Sequence, residues 1–282
     1  MRAAKLRTVT RLAGTACHVA LGLFLTAAAI PLASQRQRDD LRRWWAGRLL
    51  RVLGVRLRHV GGELGRGTLV VANHVSWLDV FAINALAPTT FVCKTEVRRW
   101  PAIGWMVARN DTLFLERGRH SAAAALNTRL RSALDAGRTV VVFPEGTSSD
   151  GRQVLPFHAA LLQPAIDGGY AIVPLCVCYR DGAGRCSEAP AYCDDIGFLQ
   201  SLRAIAASSS LVTEVNVLPA VSGAGRTRRE AAELARAAID RRLTQSGEGG
   251  APDFSCSHRD AALADTHCMA SPSRAPAAFV RA

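Results

Sequence analysis

Short β-rich runs alternate with helical stretches along most of the chain, and this alternation limits the possible folds more than any other feature. The runs are rich in Val, Leu, Ile, Thr and Phe, and they occupy residues 55–60, 68–72, 90–93, 112–115, 139–143, 171–178 and 212–218. Helical patterns lie between them, for example over 119–136 and 226–243. Strands that alternate with helices predict an α/β fold, in which helices cover a largely parallel central sheet.

The first 60 residues carry nearly all of the excess positive charge. They hold 12 basic and 2 acidic side chains, a net charge of +10, whereas residues 61–282 hold 23 basic and 21 acidic side chains, a net charge of +2. An apolar stretch over 12–33 lies inside this basic region and is long enough to span a membrane or to lie in one leaflet. Because few aromatic side chains are interleaved with basic ones, the charge indicates an anionic membrane surface and no nucleic-acid partner.

A second membrane candidate covers residues 41–53, where Leu, Trp and Val recur at helical spacing and four Arg side chains fill the other face. A basic amphipathic helix with Trp suits the headgroup layer of a membrane. The alternative is a surface helix whose apolar face packs on the core. We predict basic membrane-anchoring helices over 1–54 and an α/β catalytic domain over 55–245. From its Ser, Gly, Ala and Pro content, we predict a disordered tail over 246–282.

Composition excludes several classes of protein. The apolar fraction of 49% is too high for a generally disordered chain. A transporter with several membrane spans would need more than one long apolar stretch. The eight cysteines include no C-x-x-C pair, so the sequence offers no zinc-site pattern, and we expect free thiols in a reducing compartment.

His74 and Asp79 follow the second β-rich run, in the segment Asn-His-Val-Ser-Trp-Leu-Asp. Ligands bind outside the carboxyl ends of the strands in open α/β sheets, so this loop is a candidate site. A His there can serve as a general base near neutral pH, and a hydrogen-bonded Asp fixes its tautomer and stabilises the imidazolium. The alternative is that Asp79 only caps a helix and His74 only fills the junction.

Two further runs end in polar loops that should reach the same edge of the sheet. Glu145, Gly146 and Thr147 follow the fifth run and can present acceptors and backbone N–H groups to a polar ligand. The alternative is an ordinary turn with a helix cap. Arg117 follows the fourth run, where a guanidinium can hold a phosphate bidentately, although a surface ion pair is the alternative.

Together these segments resemble the glycerolipid acyltransferase family, which includes the 1-acyl-sn-glycerol-3-phosphate acyltransferases. The first block of that family, His-x4-Asp, is matched by His74 and Asp79. The other blocks are matched, in the family's order, by Phe114-x-x-Arg117, Phe143-Pro-Glu-Gly-Thr147 and Val173-Pro174. The pair Lys94-x-Glu96 resembles the stretch between the first two blocks.

The resemblance implies an enzyme of phospholipid biosynthesis. An acyl thioester, on coenzyme A or acyl carrier protein, would give its acyl chain to the free hydroxyl of 1-acyl-sn-glycerol-3-phosphate and yield phosphatidic acid. His74 would be the base and Asp79 would orient it, with no cofactor, metal or acyl-enzyme. The implied acceptor-binding residues are Lys94, Phe114, Arg117, Glu145, Gly146 and Thr147. The family fold implies a two-helix membrane element, and we expect the inner membrane with the catalytic domain facing the cytoplasm.

Two positions depart from the family pattern. Ser148 stands where the third block often continues with a basic residue, and Asp111 stands where the second block often has Gly. Both departures weaken the case for 1-acyl-sn-glycerol-3-phosphate as the acceptor. The alternatives are acylation of another lysolipid, such as lyso-ornithine lipid, and a non-catalytic membrane-binding protein that keeps the fold.

Overall fold

The computed structural model describes residues 2–100, 102–115, 120–193 and 196–248. Within these residues seven strands form one sheet in the order β1-β7-β6-β2-β5-β3-β4. The strands are β1 (Val55–Gly61), β2 (Leu69–Ala72), β3 (Thr90–Lys94), β4 (Leu113–Leu115), β5 (Val140–Val142), β6 (Ile172–Asp181) and β7 (Leu211–Val217). Each strand corresponds to one of the β-rich runs, so the strand predictions are confirmed.

The sheet is parallel except at one place. Strands β2 to β6 run in one direction, and β1 and β7 pair in parallel with each other but join the rest through an antiparallel β6–β7 ladder. The prediction of a largely parallel sheet is therefore confirmed. Because β2, β3, β4 and β5 point the same way, their carboxyl ends meet at one edge, which is where ligands bind in such sheets.

Eight α-helices accompany the sheet in the described part of the chain. They are α1 (Arg2–Ala28), α2 (Gln35–Leu53), α3 (Leu78–Leu86), α4 (Ile103–Ala108), α5 (His120–Asp135), α6 (Gln163–Gly168), α7 (Phe198–Ala207) and α8 (Arg228–Glu248). Two short 3₁₀ turns cover Thr95–Arg99 and Ala159–Leu162. The predicted helical stretches over 119–136 and 226–243 correspond to α5 and α8. The predicted tail lies outside the described residues from residue 249 onward.

Side chains of the central strands enter two cores, one on each face of the sheet. Val70 lies in the core that includes residues of α2, α3 and α7, whereas Leu69 and Val71 lie in the core that includes residues of α5, α6 and α8. A strand that is covered on both faces has no solvent side, which is why β2 is apolar throughout instead of alternating. Helices thus cover both faces, as predicted.

Helix α2 packs mainly on protein. Three leucines of its last two turns are buried in the core, and Trp45 packs against that core. These leucines are Leu49, Leu50 and Leu53. For the apolar face that carries these leucines, the core-packing alternative is therefore correct, because α2 contacts both α1 and α3. Trp44 of the same helix stays exposed. The helix ends at Gly54, whose left-handed conformation leads the chain directly into β1 at the predicted boundary.

Candidate active site

The loop between β2 and α3 brings the first two candidate residues together. His74 Nδ1 lies 2.8 Å from Asp79 Oδ2. The chain between them is a tight turn, because the same Oδ2 accepts hydrogen bonds from the backbone N–H groups of Val75 at 2.8 Å and Ser76 at 3.0 Å. The predicted pair is therefore formed, with both side chains at the carboxyl end of β2.

Asp79 is fully buried, with 0% of its surface exposed. Its other oxygen, Oδ1, accepts a hydrogen bond of 2.6 Å from the Tyr179 hydroxyl. A buried carboxylate costs several kcal/mol unless hydrogen bonds satisfy its oxygens. The four donors around Asp79 meet this requirement, since each hydrogen bond to a charged group contributes roughly 1.5–3 kcal/mol. These hydrogen bonds therefore compensate the burial of the carboxylate.

His74 is supported on one side and open on another. Its ring stacks on Phe143 with the ring centroids 4.2 Å apart, and 23% of its side chain is exposed. Because an ionised carboxylate only accepts hydrogen bonds, Nδ1 carries the proton and Nε2 keeps a lone pair. No described residue hydrogen-bonds to Nε2, which leaves this atom available to accept a proton.

The loop after β5 holds the backbone of His74. Glu145 Oε1 accepts a hydrogen bond from the His74 N–H at 2.9 Å, and the Ser149 N–H donates to the His74 carbonyl at 2.8 Å. The second Glu145 oxygen accepts from the Leu155 N–H at 3.3 Å. Only 5% of Glu145 is exposed, so its carboxylate contacts backbone instead of the open edge. We infer that Glu145 supports the His74 loop, and its contact with the acceptor stays a prediction.

Burial raises the pKa of Glu145 to about 7, although the hydrogen bonds from His74 and Leu155 act in the opposite direction. A carboxyl with a higher pKa in the folded protein binds its proton more tightly there, so the free energy of unfolding falls as pH rises through the interval between the unfolded and folded pKa values. In Glu145→Gln this dependence should disappear, a difference of roughly 1–3 kcal/mol over the interval. Urea unfolding of both proteins at about pH 4.5 and about pH 8 measures it. An equal pH dependence in both proteins would contradict the burial of this carboxyl.

Gly146 occupies a position that requires glycine. Its φ of +70° is left-handed, and a Cβ atom there would lie 3.3 Å from His158 Cδ2. Thr147 follows and is exposed, which agrees with its predicted place at the open edge. The His158 N–H donates to the Pro144 carbonyl at 2.9 Å, which places His158 beside this loop.

The remaining candidates belong to β3 and β4. Lys94 is exposed at the end of β3 and pairs in register with Leu115, the last residue of β4. Phe114 is half-buried, and the guanidinium of Arg98 lies 4.9 Å from its ring centroid. Arg117 lies outside the described residues, so its contact with a phosphate stays a prediction.

The unexpected charge of Asp111 is compensated within the protein. Its Oδ2 lies 3.2 Å from a guanidinium nitrogen of Arg42 and 3.2 Å from one of Arg138. Burial opposes ionisation of this carboxyl, but the fields of the two arginines outweigh burial and hold the pKa of Asp111 below its usual value. Asp111 therefore acts as an ionic link between α2 and the segment after α5.

Ser148 also has a structural partner. Its hydroxyl donates to the carbonyl of Tyr192, whose own N–H donates to the Val75 carbonyl at 3.0 Å. The chain at Tyr192 is thereby fastened to both loops of the site. Ser148 supplies this tether in place of the positive charge that the family often has there.

Two residues outside the predicted set also build the site. Asn73 makes side-chain hydrogen bonds of 2.9 and 2.8 Å with the backbone of Val177, and so ties the start of the loop to β6. Tyr179 lies 100 residues after its partner Asp79, and no local pattern indicates it.

Among the described side chains, no group of three or more His, Cys, Asp or Glu is placed to hold a metal.

Comparisons with known proteins identify the family. A family model described as "Acyltransferase" matches residues 47–178. A lyso-ornithine lipid O-acyltransferase from Pseudomonas aeruginosa is 36% identical over 243 residues, which cover 84% of this chain and 93% of the relative. A 1-acyl-sn-glycerol-3-phosphate acyltransferase from Neisseria gonorrhoeae is 37% identical over 164 residues, which cover 56% of this chain and 64% of that relative.

A solved structure shows the same fold. The crystal structure of the 1-acyl-sn-glycerophosphate (LPA) acyltransferase PlsC from Thermotoga maritima superposes with a TM-score of 0.66 at 19% sequence identity. The superposition covers 89% of this chain and 100% of that chain. Identity over nearly the whole length of the Pseudomonas relative, together with the family model, shows that this chain belongs to the acyltransferase family and is an enzyme that transfers acyl groups.

Proposed function

We propose that this acyltransferase moves a fatty acyl chain from a thioester to the free hydroxyl of a lysolipid. The observation that carries the proposal is the His74–Asp79 pair, in which Asp79 is buried and His74 is open on one side. Relatives whose names specify lysolipid acylation support this acceptor class. Acyl-CoA and acyl carrier protein present the same thioester group, and either serves as donor in this scheme.

The transfer is a direct displacement. Nε2 of His74 takes the proton of the acceptor hydroxyl while the hydroxyl oxygen attacks the thioester carbonyl carbon. The C–O bond forms, the C–S bond breaks, and the proton passes from His74 to the leaving thiolate. Asp79 stabilises the imidazolium that exists between these two proton transfers, because its carboxylate lies 2.8 Å from Nδ1. No group of the enzyme becomes acylated.

The first acceptor is 1-acyl-sn-glycerol-3-phosphate, and its product is phosphatidic acid. A phosphate is bound best by charge-assisted hydrogen bonds from cations. Lys94 is exposed at the edge of the site, and Arg117 follows closely after the last residue of β4. The negative charge of Asp111 does not oppose a phosphate, because Arg42 and Arg138 compensate it.

The second acceptor is lyso-ornithine lipid, and Ser148 is the observation that favours it. Its hydroxyl is engaged by the Tyr192 carbonyl, so this position adds no cation for a phosphate. An acceptor without a phosphate monoester would need fewer cations at the edge. The Pseudomonas relative, which is covered over 93% of its length, carries the name of this activity.

A panel of lysolipids decides between the two acceptors. The purified enzyme receives a radiolabelled acyl thioester, on coenzyme A or on acyl carrier protein, with one lysolipid at a time. We expect label in phosphatidic acid when 1-acyl-sn-glycerol-3-phosphate is the acceptor. Label only in ornithine lipid would establish the second candidate instead. Label in no lysolipid product, from folded enzyme with either donor, would contradict the proposed function.

We also propose that α1 holds the enzyme in one leaflet, on the cytoplasmic side of the inner membrane. In the described part of the chain, α1 is the helix whose length and composition would allow a membrane span. However, the guanidinium groups of Arg7 and Arg11 donate to backbone carbonyls at the end of α7 at 2.7 to 3.1 Å. The ring of His18 stacks on Trp45 of α2 with 4.7 Å between centroids. These ties along α1 support an interfacial position over a span.

The exposed apolar side of α1 would then enter the lipid. Phe24 lies on this side and is 64% exposed. In Phe24→Asp, the lost burial of a Phe side chain is worth roughly 1.5–3 kcal/mol, so the partition coefficient onto anionic vesicles should fall at least about tenfold. Vesicle sedimentation measures the bound fraction. The matched control is Leu234→Asp on α8, a residue 44% exposed, which should bind like the wild type. Equal binding of the Phe24 variant and the wild type would contradict this role of α1.

A further inference from the structure

The two oxygens of the buried Asp79 carboxylate have different partners. Oδ2 contacts His74 Nδ1 and accepts from the backbone N–H groups of Val75 and Ser76. Oδ1 accepts from the Tyr179 hydroxyl at 2.6 Å, and no other described residue donates to it. One oxygen thus faces the proposed base, and the other depends on a single tyrosine.

Toward the Asp79 carboxylate, the Tyr179 hydroxyl acts as the donor. It lies in β6, its side chain is buried in the core with β2 and α3, and Thr213 of β7 lies opposite it in the antiparallel ladder. Burial, and next the neighbouring charge of Asp79, raise the pKa of Tyr179 well above its ordinary value. The phenol therefore keeps its proton over the working pH range. The direction of the hydrogen bond, from Tyr179 to Asp79, is fixed.

We propose that Tyr179 is a positioning residue for acyl transfer, and that it extends the His74–Asp79 pair to a chain of three side chains. The hydroxyl fixes the plane of the carboxylate, and it draws negative charge toward Oδ1 and away from the histidine. This inference rests on the proposed role of His74 as the base. Tyr179 does not touch the reacting groups, so it acts only through Asp79.

Loss of the hydroxyl should have two consequences. First, Oδ1 would be buried with no donor, so the carboxylate would be held through one oxygen and would orient the imidazole less well. Second, more negative charge would remain on Oδ2, where it favours the protonated imidazole. The neutral base would then persist only at higher pH, because protonation of His74 competes with its function. A lower kcat and a displaced pH profile should therefore appear together.

The variant Tyr179→Phe tests this role, because it keeps the ring and removes the hydroxyl. We expect kcat to fall roughly tenfold with little change in KM, since a single hydrogen bond to a charged group is lost. We also expect the acid limb of the kcat/KM profile to move to higher pH. The matched control is Tyr170→Phe, which removes a hydroxyl that donates to Asp135 at the surface and should behave like the wild type.

The pH profile separates positioning from a structural role. If Tyr179→Phe only lowers Tm, with kcat per folded enzyme and the acid limb unchanged, the proposal is overturned. If the Phe variant does not fold, a fluorotyrosine placed at 179 gives the reverse test, because a more acidic phenol donates more strongly and should move the limb to lower pH. An unmoved limb there also overturns the proposal. His74→Ala is measured alongside. If His74→Ala is active, the proposed function is refuted. If His74→Ala is inactive but Tyr179→Phe behaves like the wild type, only this inference is refuted.

Discussion

Replacing His74 with alanine should lower kcat for acyl transfer by roughly a thousandfold, because the acceptor hydroxyl then has no base within reach. His74 Nε2 has no described partner that could take over its role, and the nearest carboxylate, Asp79, is buried behind the ring. The leaving thiolate also loses the group that would protonate it. Binding of the thioester should persist, since the imidazole is not needed to hold the acyl chain. Steady-state rates with labelled thioester and saturating lysolipid measure the loss.

A matched control for this variant lies on an edge strand of the sheet, away from the site. His59 is exposed in β1, three strands from β2, and contacts the Gly62 carbonyl at 2.8 Å. His59→Ala should keep the wild-type kcat. If His74→Ala, folded as shown by its Tm, retained more than about a tenth of the wild-type kcat, His74 would not be the base.

Asp79→Asn should be the second most damaging change, with kcat reduced roughly a hundredfold to a thousandfold. The amide oxygen of Asn can still accept the hydrogen bonds from Val75 and Ser76, and its amino group can donate to the Tyr179 oxygen. The turn should therefore keep its shape. What disappears is the negative charge beside Nδ1, so the imidazolium loses its stabilisation during transfer. Stability should change little, because a buried charge is removed together with its desolvation cost.

The matched control for Asp79→Asn is the same substitution at a surface carboxylate. Asp135→Asn at the protein surface removes a carboxylate whose partners are Arg131 and Tyr170, and it should leave kcat unchanged. An Asp79→Asn enzyme that folds and transfers acyl groups at the wild-type rate would show that the carboxylate only shapes the turn. In that case Asp79 would be the helix-start residue that the sequence also allowed.

Local patterns predicted the strands and the His74–Asp79 pair. The β-rich runs are bounded by turns, and the strands are buried on both faces, so composition alone marks them. The pair lies within one loop, and its spacing of five positions therefore reflects a short-range geometry that a sequence can show. The resemblance to acyltransferases added the order of the blocks.

Long-range contacts were not predictable in the same way. Tyr179 reaches Asp79 only because β6 lies beside β2, and that order follows from the packing of the whole sheet. The amphipathic pattern over 41–53 predicted a membrane helix, with core packing as the alternative. Contacts of α2 with α3 and the core decide in favour of the core for most of its apolar face. The sequence also indicated that the charge of Asp111 would oppose a phosphate, but Arg42 and Arg138 lie beside Asp111 and compensate this charge.

The basic N-terminal region has a divided role in this light. Part of its charge is used inside the protein, where Arg7 and Arg11 bind the end of α7 and Arg42 pairs with Asp111. The remaining arginines can face anionic lipid. Part of the charge of +10 in the first 60 residues is therefore structural, and under the proposed membrane location the rest would attract anionic lipid.

Direct transfer from thioester to hydroxyl, with His74 as base, is tested most directly by rapid-quench measurement of thiol release from acyl-CoA at an enzyme concentration comparable to that of the donor. Without lysolipid, we expect no rapid release of thiol. With lysolipid, thiol and ester should appear one for one, and both should vanish in His74→Ala. A burst of thiol equal to the enzyme concentration in the absence of lysolipid would reveal an acyl-enzyme and contradict direct transfer.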